Sequence, residues 1–216
     1  MKNESWLEVL NLRKKYGNGS NKLGGKKMEK DITERILDAT LEVIAREKIS
    51  GTRMHLIAKE AQTSQSLLHY YYPTKNELLV ALIDRMQKRF SEKRKESVDL
   101  EKYSDKENIS NLFKEKKDDI LNNKKFDYVQ FDYWVQGTVD EVIRGKFQES
   151  FRKWRQNISE VLKNSKIDPK IKKMLPYIMV SLMMGASMQY LIDEQEFNLD
   201  EYFDAAYQLI LKCFEE

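Results

Sequence analysis

The chain has 216 residues, 34% of them charged and 41% hydrophobic, with only 8 Gly and 3 Pro, a composition that excludes a turn-rich all-β fold and suits long solvated helices. Cys213 stands alone, which excludes an internal disulfide, and His55 and His69 are the only histidines, so no metal or cofactor is expected. The net charge of +3 identifies no partner, but Lys48, Arg53, Lys59 and Lys75 face Glu60 alone between residues 48 and 76, a local field that attracts phosphate.

Residues 1–27 read as an extension or flexible linker. Trp6, Leu7, Val9, Leu10 and Leu12 have the spacing of a short amphipathic helix, which Gly17-Asn18-Gly19-Ser20 and Gly24-Gly25 would interrupt. Their apolar residues are too scattered for a secretory signal. Asp31 with Glu34 predicts a capped start for a helix carrying Ile36, Leu37, Leu41 and Ile44 and ending near Glu47. After Gly51-Thr52, the spacing of Met54, Ile57, Ala58 and Ala61 predicts a short second helix. Gln62-Thr63-Ser64 interrupts, Ser64 is placed to cap a third helix with Leu68, Tyr71 and Tyr72 inward, and Pro73 stops it. Thr74 and Glu77 form a second capping box, opening a long fourth helix through Leu78, Leu79, Leu82, Met86 and Phe90.

Beyond it, Ile109, Leu112, Phe113, Ile120 and Leu121 make one stripe, an aromatic-rich piece runs from Phe126 to Trp134, and Thr138 with Glu141 opens a helix bearing Ile143, Phe147, Trp154, Ile158 and Val161. Asp168-Pro169 starts the next helix, and Asn198 with Glu201 the last, with Phe203, Ala206, Tyr207, Ile210 and Phe214. The run from Met174 to Ile192 is 19 residues without a charge, near the length of a membrane span. Pro176, Ser181, Ser187, Gln189 and two tyrosines dilute it, so it reads as a buried helix and no membrane is expected. Lys88, Arg89, Lys93, Arg94 and Lys95, balanced by Asp84, Glu92 and Glu96, read as a solvated face with ion pairs at four-residue spacing. The fold class is therefore all-α with about nine helices, in which 28–76 form a three-helix helix-turn-helix domain and 77–216 a larger helical domain.

Two short helices joined by a tight turn can present the second of them to a DNA major groove. Outside the Leu68 and Tyr71 core face, Gln65, Ser66, Leu67, His69 and Tyr70 are available; Gln can bond adenine and Leu can touch a thymine methyl. Residues 31–79 combine an aliphatic first helix, Gly51-Thr52, Ile57-Ala58, the Ser64-initiated third helix, the tyrosines before Pro73, and Lys75, and so resemble the DNA-binding end of TetR-family repressors. The resemblance implies that Thr52 and Arg53 approach the DNA backbone, that Gln65, Ser66 and Leu67 beside Ser64 face the bases, and that His69, Tyr70 and Lys75 hold phosphates. Gln62 stands where the family often has glycine and Thr63 where it often has valine.

The resemblance also implies a homodimer built on the last two long helices; a dyad-symmetric double-stranded operator and a small-molecule effector bound between the fourth and eighth helices are expected with it, and lone Cys213 fits a cytoplasmic location. Candidate pocket residues are Phe90, Phe131, Trp134, Phe147 and Met183; candidate interface residues are Met179, Met183, Ala186, Tyr190, Phe203, Tyr207 and Ile210. Against this reading stand a helical DNA-binding protein without effector control and a helical enzyme. For the latter, no glycine-rich phosphate loop, nucleophile elbow, paired-His zinc motif or Cys/His pair is visible, and no catalytic residue is expected.

Overall fold

A computed structural model describes residues 22–214, with side chains from residue 31 onward. Nine helices occupy the described residues: α1 Lys22–Gly51, α2 Met54–Glu60, α3 Gln65–Tyr71, α4 Lys75–Glu96, α5 Asp105–Asn122, α6 Lys124–Gln136, α7 Glu141–Val161, α8 Pro169–Ile192 and α9 Leu199–Leu211. The only β pairing among them is an isolated bridge between Ile167 and Phe214. The amphipathic piece expected around Trp6 to Leu12 lies outside the described residues.

The chain forms two compact units, Met1–Asp84 and Arg85–Glu216, so that α4 begins in one and ends in the other. In the first unit α1 packs on α2 and α2 on α3. Ile36, Ile44, Ile57, Leu68 and Leu82 are fully buried, in keeping with the apolar spacing of their helices. Two expectations about α1 fail. The helix starts at Lys22, so Asp31 lies inside it rather than capping it, and Gly24-Gly25 is part of the helix, since glycine weakens a helix without having to end it. At the other end α1 bends at Lys48, where φ is 61°, and resumes as far as Gly51.

In the second unit α5 and α8 are the hubs: α5 touches α6, α7, α8 and α9, and α8 touches α6, α7 and α9 as well. Their core runs through Ile109, Leu112, Phe113, Ile120, Trp154, Ile158, Met179, Met183, Phe203 and Ile210. Leu121, expected in the α5 stripe, is exposed. Polar closures brace the frame. Ser104 and Glu107 form a capping box at α5, while buried Asn108 accepts from the Asp99 amide and donates to the Asp99 and Tyr103 carbonyls, fastening the loop before α5. Lys116 and Asp127, both buried, pair at 3.0 Å between α5 and α6.

α8 is long and apolar enough to cross a membrane. Leu175, Pro176, Met179, Val180, Met183, Ala186, Ser187 and Tyr190 are nevertheless buried against the other helices, which makes it a core helix of the second unit.

Candidate nucleic-acid interface

Helix α3 is seven residues long, too short to persist by itself, and is held by its cap, its buried anchor and the turns on either side. Ser64 adopts an extended backbone and its Oγ accepts from the Leu67 amide at 3.1 Å, satisfying one orphan donor of the first turn. Leu68 is the buried anchor, with no exposed surface. The turn before it closes through Gln62 N to Lys59 O at 3.1 Å and Thr63 N to Ala58 O at 2.9 Å. Gln62 takes φ 50°, the left-handed conformation for which glycine is the usual residue. After α3, Thr74 Oγ1 accepts from the Glu77 amide at 3.1 Å and starts α4 cleanly behind Pro73.

The remaining α3 side chains point away from Leu68. Gln65, His69 and Tyr70 are exposed, Tyr70 at 48%, while Ser66 and Leu67 are half-buried. Tyr70 stands edge-on to Tyr71 with ring centres 5.1 Å apart, and Tyr71 and Tyr72 are themselves half-buried. His69 Nδ1 donates to the Pro73 carbonyl at 3.1 Å, which holds the ring and leaves Nε2 for another partner. Arg53 is exposed beside the start of α2, its Nη1 donating to the Ser50 and Thr52 carbonyls. The nearby acid Glu60 is drawn off by Arg46 at 3.2 Å, so the basic residues dominate this surface.

Thr52 departs from its expected role. It has no exposed surface, and both its hydroxyl and its amide donate to the Lys48 carbonyl, at 2.7 and 3.0 Å, so it braces the α1 bend rather than offering a hydroxyl to phosphate. Lys75 braces the same bend from the other side of the motif, its Nζ donating to the Ile49 carbonyl at 2.5 Å and tethering the start of α4 there.

The candidate effector residues do not converge. Trp134 and Phe147 line one apolar cleft of about 280 Å³ with Gly137, Thr138, Arg144, Gln148 and Phe151. Phe90 instead stacks edge-on with Phe126, Met183 is sealed in the core, and Phe131 is half-buried outside that cleft. The candidate interface residues are corrected too: Met179, Met183, Ala186, Tyr190, Phe203 and Ile210 are buried within their own chain, and Tyr207 is half-buried with its hydroxyl donating to the Lys106 carbonyl. The opposite side of α8 is the bare one. Ile171, Met174, Ile178, Ser181, Gly185, Met188 and Ile192 follow one another at spacings of three and four; five of them are exposed hydrophobics, Ile192 at 85%, and exposed Leu209 adds to them from α9.

The charged α4 segment is only in part the solvated face its spacing suggested: Asp84, Lys88, Glu92, Lys95 and Glu96 are exposed, whereas Arg89, Lys93 and Arg94 are half-buried. Lys88 and Glu92 make an exposed pair of the expected spacing. Arg89 and Lys93 donate to buried Asp119, at 2.9 and 2.6 Å, and Arg94 lies over the Trp154 ring at 4.5 Å. Burial lowers the Arg94 guanidinium to about 10, and burial together with the Asp119 charge raises the Glu115 carboxyl. Burial pulls Asp119 upward, but the Arg89 and Lys93 hydrogen bonds prevail and hold it below its ordinary value. Among the described residues no group of three or more His, Cys, Asp or Glu is arranged to hold a metal ion.

A capped short helix, buttressed by two others and turning a polar row outward, defines a helix-turn-helix protein of the all-helical class. Residues 36–82 match the family described as bacterial regulatory proteins, tetR family. An HTH-type transcriptional regulator in the dhlA 5′ region of Xanthobacter autotrophicus is 29% identical over 131 residues, covering 60% of this chain and 65% of that protein, so the match spans just under two thirds of the relative. A TetR transcription regulator from Haloarcula marismortui has the same fold at a TM-score of 0.76, with 18% identity over 86% of this chain and 100% of its own. So does a transcriptional regulator from Saccharomonospora viridis in complex with choline, at a TM-score of 0.74, with 21% identity over 87% of this chain and 99% of its own. Over residues 36–82 the chain is thus similar to the tetR family, and over most of its length it shares the fold of these regulators.

Proposed function

We propose that the protein is a homodimeric, cytoplasmic transcriptional regulator that binds a dyad-symmetric DNA operator through α3 and releases it when a small molecule occupies the second unit. The observation that carries the DNA reading is the outward row Gln65, Ser66, Leu67 and Tyr70 on a helix anchored by Leu68 and capped by Ser64, within a module similar to the tetR family. In this reading Gln65, Ser66 and Leu67 contact base edges, while Arg53, His69, Tyr70 and Lys75 contact phosphates. Ser64 and Thr52 position these groups from behind.

A second copy of the chain is the occupant proposed for the bare α8 stripe, because an exposed, mostly apolar face at three-and-four spacing, with small Ser181 and Gly185 at its middle, suits helix-to-helix packing and pairs two reading heads about one duplex turn apart. The effector role is supported by the choline complex of the Saccharomonospora viridis neighbour, which takes a small molecule on this fold. Catalysis has no part in the proposal. The test is selection of bound duplexes from a random pool followed by footprinting at two salt concentrations: the expected result is a two-fold-symmetric, salt-sensitive footprint, and a footprint without dyad symmetry, or affinity indifferent to sequence, overturns the reading.

A further inference from the structure

His69 is one of two histidines in the chain, the other being His55, and it is exposed in the C-terminal half of α3, one helical turn after Gln65. The bond that orients its ring also fixes the ring's chemistry. Nδ1 lies 3.1 Å from the Pro73 carbonyl oxygen, and a carbonyl oxygen only accepts, so the single N–H of a neutral ring is on Nδ1. Nε2 is then an acceptor with a lone pair. It becomes a donor only when the ring takes up a second proton, and with it a positive charge.

A phosphate oxygen of DNA also only accepts. A neutral ring held in this way has nothing to give it, whereas the imidazolium makes a charge-assisted hydrogen bond of the strong kind. Among the described residues no carboxylate pairs with His69. Its ionisable neighbours on α3 and its exit are Tyr70, Tyr71 and Tyr72. Helix α2, on which α3 packs, brings Arg53 at its N-cap with His55, Lys59 and Glu60; the start of α4 brings Lys75 and Glu77, and the end of α1 brings Arg46, Glu47 and Lys48. Each of these acids is engaged elsewhere, Glu47 and Glu60 by Arg46 and Glu77 by the Thr74 hydroxyl, so the negative partner for an imidazolium is the one that DNA supplies.

On the DNA reading above, in which His69 contacts a phosphate and on which this step rests, we propose that His69 meets the operator backbone as an imidazolium, so that binding takes up one proton per half-site and tightens as pH falls. The place of His69 suits the backbone, because the first residues of a reading helix are the ones that meet base edges. The sign is diagnostic. A ring that accepted instead from the amino group of adenine or cytosine would bind in its neutral form, and affinity would weaken on acidification.

The experiment uses the full chain and a duplex selected from a random pool at about pH 6, with affinity measured at constant ionic strength from about pH 6 to pH 8, the span in which an imidazole titrates. Affinity is expected to fall by about tenfold per half-site across that range, the worth of a hydrogen bond to a charged group. In His69→Asn the amide replaces Nδ1 and keeps the Pro73 bond, but nothing stands in for Nε2; in His69→Gln an uncharged donor stands near Nε2. Both are expected to bind without pH dependence, the Gln variant more tightly, while His55→Gln keeps the dependence of the parent protein. Melting curves over the same range separate a loss of fold from a loss of contact, and either His69 variant suffices if the other fails to fold. A selected duplex bound equally at every pH, affinity that rises with pH, or a pH dependence that survives both His69 substitutions overturns the proton linkage and leaves the DNA reading standing. Failure to select any duplex removes both.

Discussion

Gln62 holds a left-handed backbone at the turn between α2 and α3, a conformation in which Cβ crowds its own carbonyl. Gln62→Gly is therefore expected to stabilise the protein by about 1 kcal/mol, seen as a higher urea midpoint at unchanged slope. Two substitutions separate reading from holding. Gln65→Ala is expected to relax base preference at one position per half-site, by about 1–3 kcal/mol, whereas Arg53→Ala is expected to lower affinity for all sequences alike and reduce the salt slope by about 1. Quantitative binding to a set of single-base operator variants distinguishes these outcomes. The capping roles of Ser64 and Thr74 are legible in the sequence because a cap is a local pattern three residues wide. The role of Thr52 is not, because its burial follows from the bend at Lys48, which no local spacing encodes.

At the scale of elements, α5 is bound to its neighbours by charge as well as by apolar packing. Lys116→Met should cost about 3–5 kcal/mol by stranding Asp127, whereas Lys116→Met with Asp127→Leu should be nearly neutral; denaturant melts of the three proteins test this non-additivity. Asp119 gives the unit an acid sensitivity. Its folded pKa lies below the unfolded value, so its contribution is complete above the ordinary carboxylate range and fades as pH falls through the depressed value. Asp119→Asn should flatten that part of the stability profile between pH 5 and 2, values taken as roughly the range over which a paired carboxylate titrates.

The existence and order of these helices can be read from the sequence, because apolar periodicity and caps are written residue by residue. The orientation of α8 cannot: a helix with 19 consecutive uncharged residues has two apolar stripes, and which one turns inward is decided by partners distant in sequence. The setting of Arg94 is hidden for the same reason, since nothing in its spacing announces that its half-buried guanidinium lies over the Trp154 ring.

For the whole molecule, the bare α8 stripe sets the expected association. Ile178→Asp with Met188→Asp should convert a dimer to a monomer in sedimentation equilibrium while leaving the helical circular dichroism intact, because both side chains are exposed on the single chain. Unchanged mass would exclude this face as the contact. Operator affinity should fall steeply in the same variant, since two half-sites bound independently lose the benefit of their linkage.

The brevity of α3 reaches further than its geometry. A seven-residue segment cannot keep its shape away from the platform that clamps it, so a synthetic peptide copying Ser64 to Tyr72 should be a random coil without appetite for DNA. By the same logic, recognition has no thermal life of its own: on warming, sequence discrimination and the fold of the amino-terminal unit should vanish together, which would make the operator a thermometer for the state of that unit.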